Sequence, residues 1–107
     1  MIPQPVAGGA PARQAAYVYL LESRCDGAYY VGWTTDPVRR LVEHNAGSSP
    51  WTRRKSPWRL IGVEVHPTAE AAKTYERTLK RSPRKRMLFK KRLLNRAAGG
   101  RPRQVVG

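Results

Sequence analysis

Residues 16–34 read AYVYLLESRCDGAYYVGWT, and this stretch decides the fold. Ala16 to Glu22 and Ala28 to Thr34 are rich in β-branched and aromatic residues, and Ser23-Arg24-Cys25-Asp26-Gly27 between them carries turn chemistry. The reading is a β-hairpin. Strand alternation puts Tyr17, Tyr19 and Leu21 on one face of the first strand and Ala28, Tyr30 and Gly32 on one face of the second. Tyr19 and Tyr30 are therefore expected to be neighbours across the hairpin.

Working outward, Asp36-Pro37 pairs an N-cap residue with proline at the first helical position. It predicts a helix to about Asn45, stopped by Gly47, with Val38, Leu41 and Val42 as the buried stripe. Ser48 to Pro57 reads as loop, Trp58 to His66 as a third strand, and Thr68 as the cap of a helix through about Arg81. Ser82-Pro83 opens a last, basic helix whose apolar positions are Met87, Leu88, Leu93 and Leu94. The expected class is α+β, an α/β sandwich of order ββαβαα with a small three-stranded antiparallel sheet covered by helices. Residues 16–96 form the domain. Residues 1–15, rich in Ala, Gly and Pro, and residues 97–107 lack any period and are expected to be a disordered arm and a disordered basic tail.

Lys and Arg number 21 against 7 Asp and Glu, a net charge of +14. Thirteen of the 21 lie between Lys73 and Arg103, where Glu76 is the only acid. Such a concentration repels itself until a polyanion relieves it, and nucleic acid is the leading partner. An anionic membrane surface and a merely solubilising coat are the competing accounts. No apolar run approaches the roughly 18 residues of a membrane span, and the N-terminus lacks a charged-then-apolar leader pattern, so a cytoplasmic protein, free or nucleoid-associated, is expected. The single cysteine, Cys25, has no internal disulfide partner, and with only His44 and His66 beside it a structural zinc site is implausible.

Three further residues draw attention. Arg40 and His44 are four positions apart and so sit one helical turn apart, a cation beside an imidazole. Glu76 falls among Ala72, Tyr75 and Leu79 at helical spacing, near the border of the face that packs on the sheet. In order, the chain has Tyr17-Val18-Tyr19, Tyr30-Val31-Gly32, an Arg ten positions after Tyr30, His44 four later, a Trp51-Thr52-Arg53 segment and Glu76-x-x-Leu79-Lys80. This order and spacing, spanning Ala16 to Leu94, resembles the GIY-YIG nuclease family. The likeness is to small single-domain members similar to the catalytic domain of structure-selective endonucleases that cut branched DNA.

The resemblance implies metal-dependent hydrolysis of phosphodiesters, with catalytic candidates Tyr19, Tyr30, Arg40, His44 and Glu76. Glu76 would hold one hard divalent ion, Mg²⁺ or Mn²⁺, whose shell water and phosphate oxygens complete. Arg40 would place two hydrogen bonds on the phosphate. The family points to Tyr19 as general base, assisted by Tyr30 and His44, yet a phenol titrates near pH 10 and needs cationic neighbours to act so. An imidazole titrates near neutrality, and His44 is the easier base on unaided chemistry. The sequence leaves both open.

Blander readings exist for each: strand aromatics packing a sheet, a solvated Arg39-Arg40 pair, a histidine at a helix C-terminus, an i,i+4 pair of Glu76 with Lys80. Several positions depart from the family pattern, with Tyr17 standing for the Gly of the first motif and Val18 and Val31 for the two Ile positions. Trp33 stands where several relatives carry Lys, so a cation must come from elsewhere, Arg39 or Arg53. Leu88 stands where some carry Asn. Trp51, Arg53, Arg54 and Lys55 interleave an aromatic with cations, suited to stacking an unpaired base while gripping phosphates. Lys80, Arg81, Arg84, Lys85, Arg86, Lys90, Lys91 and Arg92 are expected to line a backbone-tracking flank that carries no sequence information. DNA is favoured over RNA as partner, although no reader of a 2′-hydroxyl is visible. The chain is taken as a monomer without a membrane role. The rival to a nuclease is a catalytically idle nucleic-acid-binding module with the same fold.

Overall fold

The computed structural model describes residues 14–99. Two strands, β1 (Ala16–Ser23) and β2 (Tyr29–Thr34), are followed by helices α1 (Pro37–Asn45) and α2 (Pro50–Arg54), strand β3 (Trp58–His66), and helices α3 (Ala69–Arg81) and α4 (Pro83–Ala97). The sheet is antiparallel with order β2-β1-β3, so the hairpin strand β1 is central and β2 is an edge. This is the expected α+β sandwich with one element added. Most of the expected arm and tail, residues 1–13 and 100–107, lies outside the described residues.

The helix starts follow the chain's cap chemistry. Asp36 Oδ1 accepts from the Arg39 amide at 3.1 Å, Thr68 Oγ1 from Ala71 at 3.0 Å, and Ser82 Oγ from Lys85 at 3.2 Å. Each such cap stabilises by about 1 kcal/mol. Gly47 takes a φ of +89° just after α1 and ends it.

Alternation along β1 divides the molecule into two apolar clusters. Ala16, Val18 and Leu20 join Val31 and Ile61 under α3 and α4, where Ala72, Leu79, Phe89 and Leu93 pack on them. Burying each of the larger side chains stabilises by about 1.5–3 kcal/mol. On the opposite face Tyr19, Leu21 and Trp58 form a second cluster with Tyr30, Leu41, Leu60 and Val63. The β1–β3 pairing shifts register between Leu20 and Leu21.

Three expectations are corrected. Residues 48–57 are not all loop: Ser49-Pro50 repeats the N-cap-then-proline signal and starts the short helix α2. The stripe of α1 is not Val38, Leu41 and Val42, since Val38 and Val42 are 68% and 61% exposed. Leu41 packs on the second cluster and the polar His44 is buried beside it, held by hydrogen bonds to Tyr19 and Thr52. In α4, Phe89 and Leu93 are the buried pair at i,i+4, whereas Met87 and Leu88 are exposed.

Candidate functional site

The second cluster carries the polar groups. Tyr19 pairs with Gly32 across the β1–β2 ladder, and its ring leans over that residue. A Cβ on Gly32 would lie 2.6 Å from the Tyr19 Cζ, 3.1 Å from Cε2 and in closer contact still with the hydroxyl. Only glycine admits the phenol there. Tyr30, opposite Leu21, is the diagonal neighbour, with ring centroids 6.2 Å apart.

Helix α1 brings His44, fully buried, with Nε2 2.9 Å from the Tyr19 hydroxyl and Nδ1 3.1 Å from Thr52 Oγ1. The Thr52 hydroxyl donates to the Ser49 carbonyl at 3.3 Å. Its one proton is thus committed, so its oxygen accepts the Nδ1 proton of His44, and the bare Nε2 accepts from Tyr19. Burial, aided by the neighbouring Arg40 charge, lowers the His44 pKa below 6.5, so the imidazole is neutral at physiological pH. Burial likewise pushes the Tyr19 pKa up to about 12, overriding the Arg40 guanidinium beside it, which acts the other way. A protonated phenol donating to a neutral imidazole is the resting state. The lowered phenol pKa that a tyrosine base requires is absent here.

Arg40 lies one turn before His44 and donates to Glu43 Oε1 at 2.8 Å, with its side chain one-third exposed beside Tyr19. Glu76 lies on α3. Its carboxylate, 17% exposed, pairs with Lys80 Nζ at 2.8 Å. The Lys80 ammonium lies 5.2 Å from the Tyr30 ring centroid. The Glu76 charge is also felt at Tyr19, whose ionisation it opposes. The structure therefore puts Tyr19, Tyr30 and His44 in direct contact, Arg40 against Tyr19, and Glu76 within electrostatic reach through Lys80. Of the cations near the Trp33 position's side of the cluster, Lys80 is the one placed against Tyr30 and Glu76. Arg39 is engaged by Asp36 and Glu43, and Arg53 packs its methylenes over Gly47. Trp33 itself carries Lys73 at 5.7 Å.

Among the described residues no group of three or more metal-ligating side chains converges. The donor chemistry nonetheless fits a hard divalent ion, since such ions often take one or two protein carboxylates and fill the shell with water and phosphate oxygens. Glu76 is the carboxylate that could hold it. Lys80 already occupies that carboxylate, so metal and ammonium would compete for it.

Around the cluster, Trp51 of α2 is 49% exposed, with its ring 5.8 Å from both Tyr30 and Trp58. The Trp58 indole donates to the Thr52 carbonyl at 2.7 Å and anchors α2. Lys55 lies over Trp51 and pairs with Asp26 at 2.6 Å, a contact that holds the Asp26 carboxyl below its ordinary range. Arg53 and Arg54 are exposed at the end of α2. Arg81, Arg84, Lys85 and Lys91 are exposed around the α3–α4 elbow, while Lys90 lies over Tyr29 at 4.8 Å. Arg92 leaves this flank: it holds Glu64 on β3 through two nitrogens, at 2.8 and 3.2 Å, and Tyr75 at 2.8 Å. Sequence reasoning missed the part of Thr52 in fixing the imidazole. Its place in a Ser-Pro-started turn of helix beside His44 was the available signal.

The GIY-YIG catalytic domain model matches residues 15–91. A UPF0213 protein of Streptococcus pneumoniae serotype 4 is 46% identical over 70 residues, 64% of this chain and 70% of that one. The structure-specific endonuclease subunit SLX1 homolog 1 of Trypanosoma cruzi is 49% identical over 51 residues, 41% of this chain and 10% of that one. The solution NMR structure of the UPF0213 protein BH0048 from Bacillus halodurans covers 82% of this chain and 88% of its own, at 34% identity and a TM-score of 0.45.

Proposed function

The chain belongs to the GIY-YIG catalytic domain family, a family of endonucleases, and from that premise we propose that it hydrolyses DNA phosphodiester bonds with the help of one divalent ion. We further propose a preference for structured or single-stranded DNA over a defined sequence, in a repair or recombination setting. The structure-specific relative supports that preference. So does the half-exposed Trp51, a stacking platform open to every base.

The observation that carries this reading is the hydrogen-bonded chain from Tyr19 through His44 to Thr52, with Arg40 at its head. A phenol with a pKa of about 12 is a poor acid and, while protonated, no base. Coupled to a neutral imidazole it becomes a relay: as Tyr19 Oη takes the proton of an attacking water, its own proton passes to His44 Nε2. The imidazolium so formed keeps Nδ1–H on Thr52. Both candidates for the base thus act as one unit. Arg40, released from Glu43, would lay its guanidinium on the phosphate, where charge builds in the transition state; such donors contribute about 3 kcal/mol. Glu76 would hold the divalent ion on which GIY-YIG nucleases generally depend, and that ion would polarise the phosphate.

The deciding experiment is a panel of labelled single-stranded, flap, junction and duplex DNAs, with an RNA control, incubated with Mg²⁺ or Mn²⁺ and with EDTA. Wild type is expected to cut at least one substrate, and Glu76→Ala and Arg40→Ala to lose cleavage while retaining most binding. No cleavage by wild type anywhere in the panel, with binding intact, would make the idle binding module the better account.

A further inference from the structure

Beside the cluster, at the free edge of β2, lies a cavity of about 460 Å³ lined by Tyr29, Tyr30, Val31, Lys80, Arg86 and Lys90. It shares Tyr30 and Lys80 with the candidate active site, so the two are contiguous. Three of its six lining residues are cations and none is an acid. Arg86 and Lys90 have no ion-pair partner among the described residues. Each cation is nonetheless positioned. Lys90 rests over the Tyr29 ring at 4.8 Å and Lys80 over Tyr30 at 5.2 Å. Arg86 Nη1 donates to the Leu79 and Lys80 carbonyls at 3.0 and 3.2 Å, which fixes its head group at the C-terminus of α3.

Lysines beside an edge strand guard against edge-to-edge pairing. That accounts for charge along β2, but not for a concavity with an arginine fixed in its wall and no acid to balance it. The volume lies within the range of small-ligand pockets and accommodates about one nucleotide unit. Both tyrosine faces are taken up by lysines, so the walls are shaped for an anion more than for a stacked base.

We propose that this pocket seats the phosphate adjoining the scissile linkage on the cleaved strand, with Lys90 and Arg86 as its main contacts and Lys80 bridging to the reacting centre. This rests on the nuclease reading given above. It makes the strand run along the β2 edge towards α4, and the contact carries no sequence information.

The test uses a short single-stranded DNA with a fluorescent end, in which one neutral methylphosphonate is moved linkage by linkage. Binding to the full chain is measured by anisotropy in EDTA, and cleavage in parallel with Mn²⁺. For wild type, neutralising one linkage next to the cut is expected to weaken binding about tenfold, the effect of one charge-assisted hydrogen bond. Lys90→Gln is expected to weaken the unmodified strand similarly and to lose sensitivity at that linkage alone. Arg24→Gln, at an exposed position of the β1–β2 turn, should keep the wild-type profile. A Lys90→Gln effect spread evenly over all linkages would overturn the pocket even if wild type cleaves. A localised profile supports it, and absence of cleavage by wild type counts against the nuclease reading separately.

Discussion

Gly32→Ala tests the geometry of the site more sharply than removal of any of its polar groups. The added Cβ would stand 2.6 Å from the Tyr19 Cζ and 3.1 Å from Cε2, inside the distance that two carbon atoms tolerate. The ring has little room to yield, because Tyr19 is 2% exposed and its hydroxyl is held by the buried His44 at 2.9 Å. Either the phenol rotates off His44 or the β1–β2 pairing opens. Overpacking of this kind costs about 1–3 kcal/mol of stability. Displacing a catalytic group by about 1 Å costs on the order of 100-fold in rate. Gly62→Ala is the matched control: its Cβ would meet Leu93 Cδ2 at 3.5 Å, an ordinary contact. Thermal unfolding and cleavage of the preferred panel substrate are measured for both variants. Gly32→Ala is expected to lose at least 100-fold in kcat at a temperature where it is still folded, and Gly62→Ala to stay near wild type. Wild-type kcat and Tm in Gly32→Ala would refute the placement of the Tyr19 ring and the relay built on it.

The relay also fixes a pH dependence. His44 accepts only when neutral, and since its pKa is lowered by burial, the acid limb of kcat should fall below pH 6.5. The stability that goes with that lowered pKa is present above 6.5 and is lost as pH falls through the folded-state value. Tyr19 contributes the opposite way, its share being intact below pH 10 and lost as pH rises towards about 12. Thr52→Val leaves the buried Nδ1–H without an acceptor; a loss of about 1–3 kcal/mol in stability and a fall in kcat with KM retained are expected from denaturation and steady-state kinetics. For binding, a log-log salt slope of about −4.5 corresponds to five neutralised phosphates on duplex DNA. Arg84→Gln should reduce that slope by about 1, whereas Arg92→Gln, whose guanidinium serves Glu64 and Tyr75, should lower Tm and leave the slope alone.

The elements that the sequence displayed were those whose signals are local. Asp36-Pro37, Thr68 and Ser82-Pro83 each announce a helix through the cap that the backbone then uses. Ser49-Pro50 carries the same signal, but the cations after it look like loop composition, and the five-residue α2 was hidden by them. The phenol pair was visible because strand period alone brings Tyr19 and Tyr30 together. Helix α1 misled for a physical reason: hydrophobic pattern finds the buried face only where burial is apolar, and here the inward positions are Leu41 and His44 while Val38 and Val42 face out. The tautomer of His44 and the height of the Tyr19 pKa depend on burial and on a hydroxyl eight residues away, neither of which has a sequence period.

The distribution of ion pairs explains how so basic a chain directs its field. Glu22, Asp26, Asp36, Glu43, Glu64 and Glu76 each hold a cation, and those pairs engage Arg39, Arg40, Lys55, Arg59, Lys80, Arg92 and Arg96. On α4, Arg92 and Arg96 share the single Glu64 carboxylate of β3. Among the described residues, cations without such partners concentrate at the end of α2, with Arg53 and Arg54, and around the α3–α4 elbow, with Arg81, Arg84, Lys85, Arg86, Lys90 and Lys91. Both flanks adjoin Tyr30, α2 through Trp51 and the elbow through Lys80. On the proposed nuclease reading, a polyanionic strand drawn in by them would be brought to the cluster. Within the cluster, Arg40 and Lys80 are held by Glu43 and Glu76. On the proposed reading, these two carboxylates would hold the innermost cations until a substrate phosphate exchanged for them.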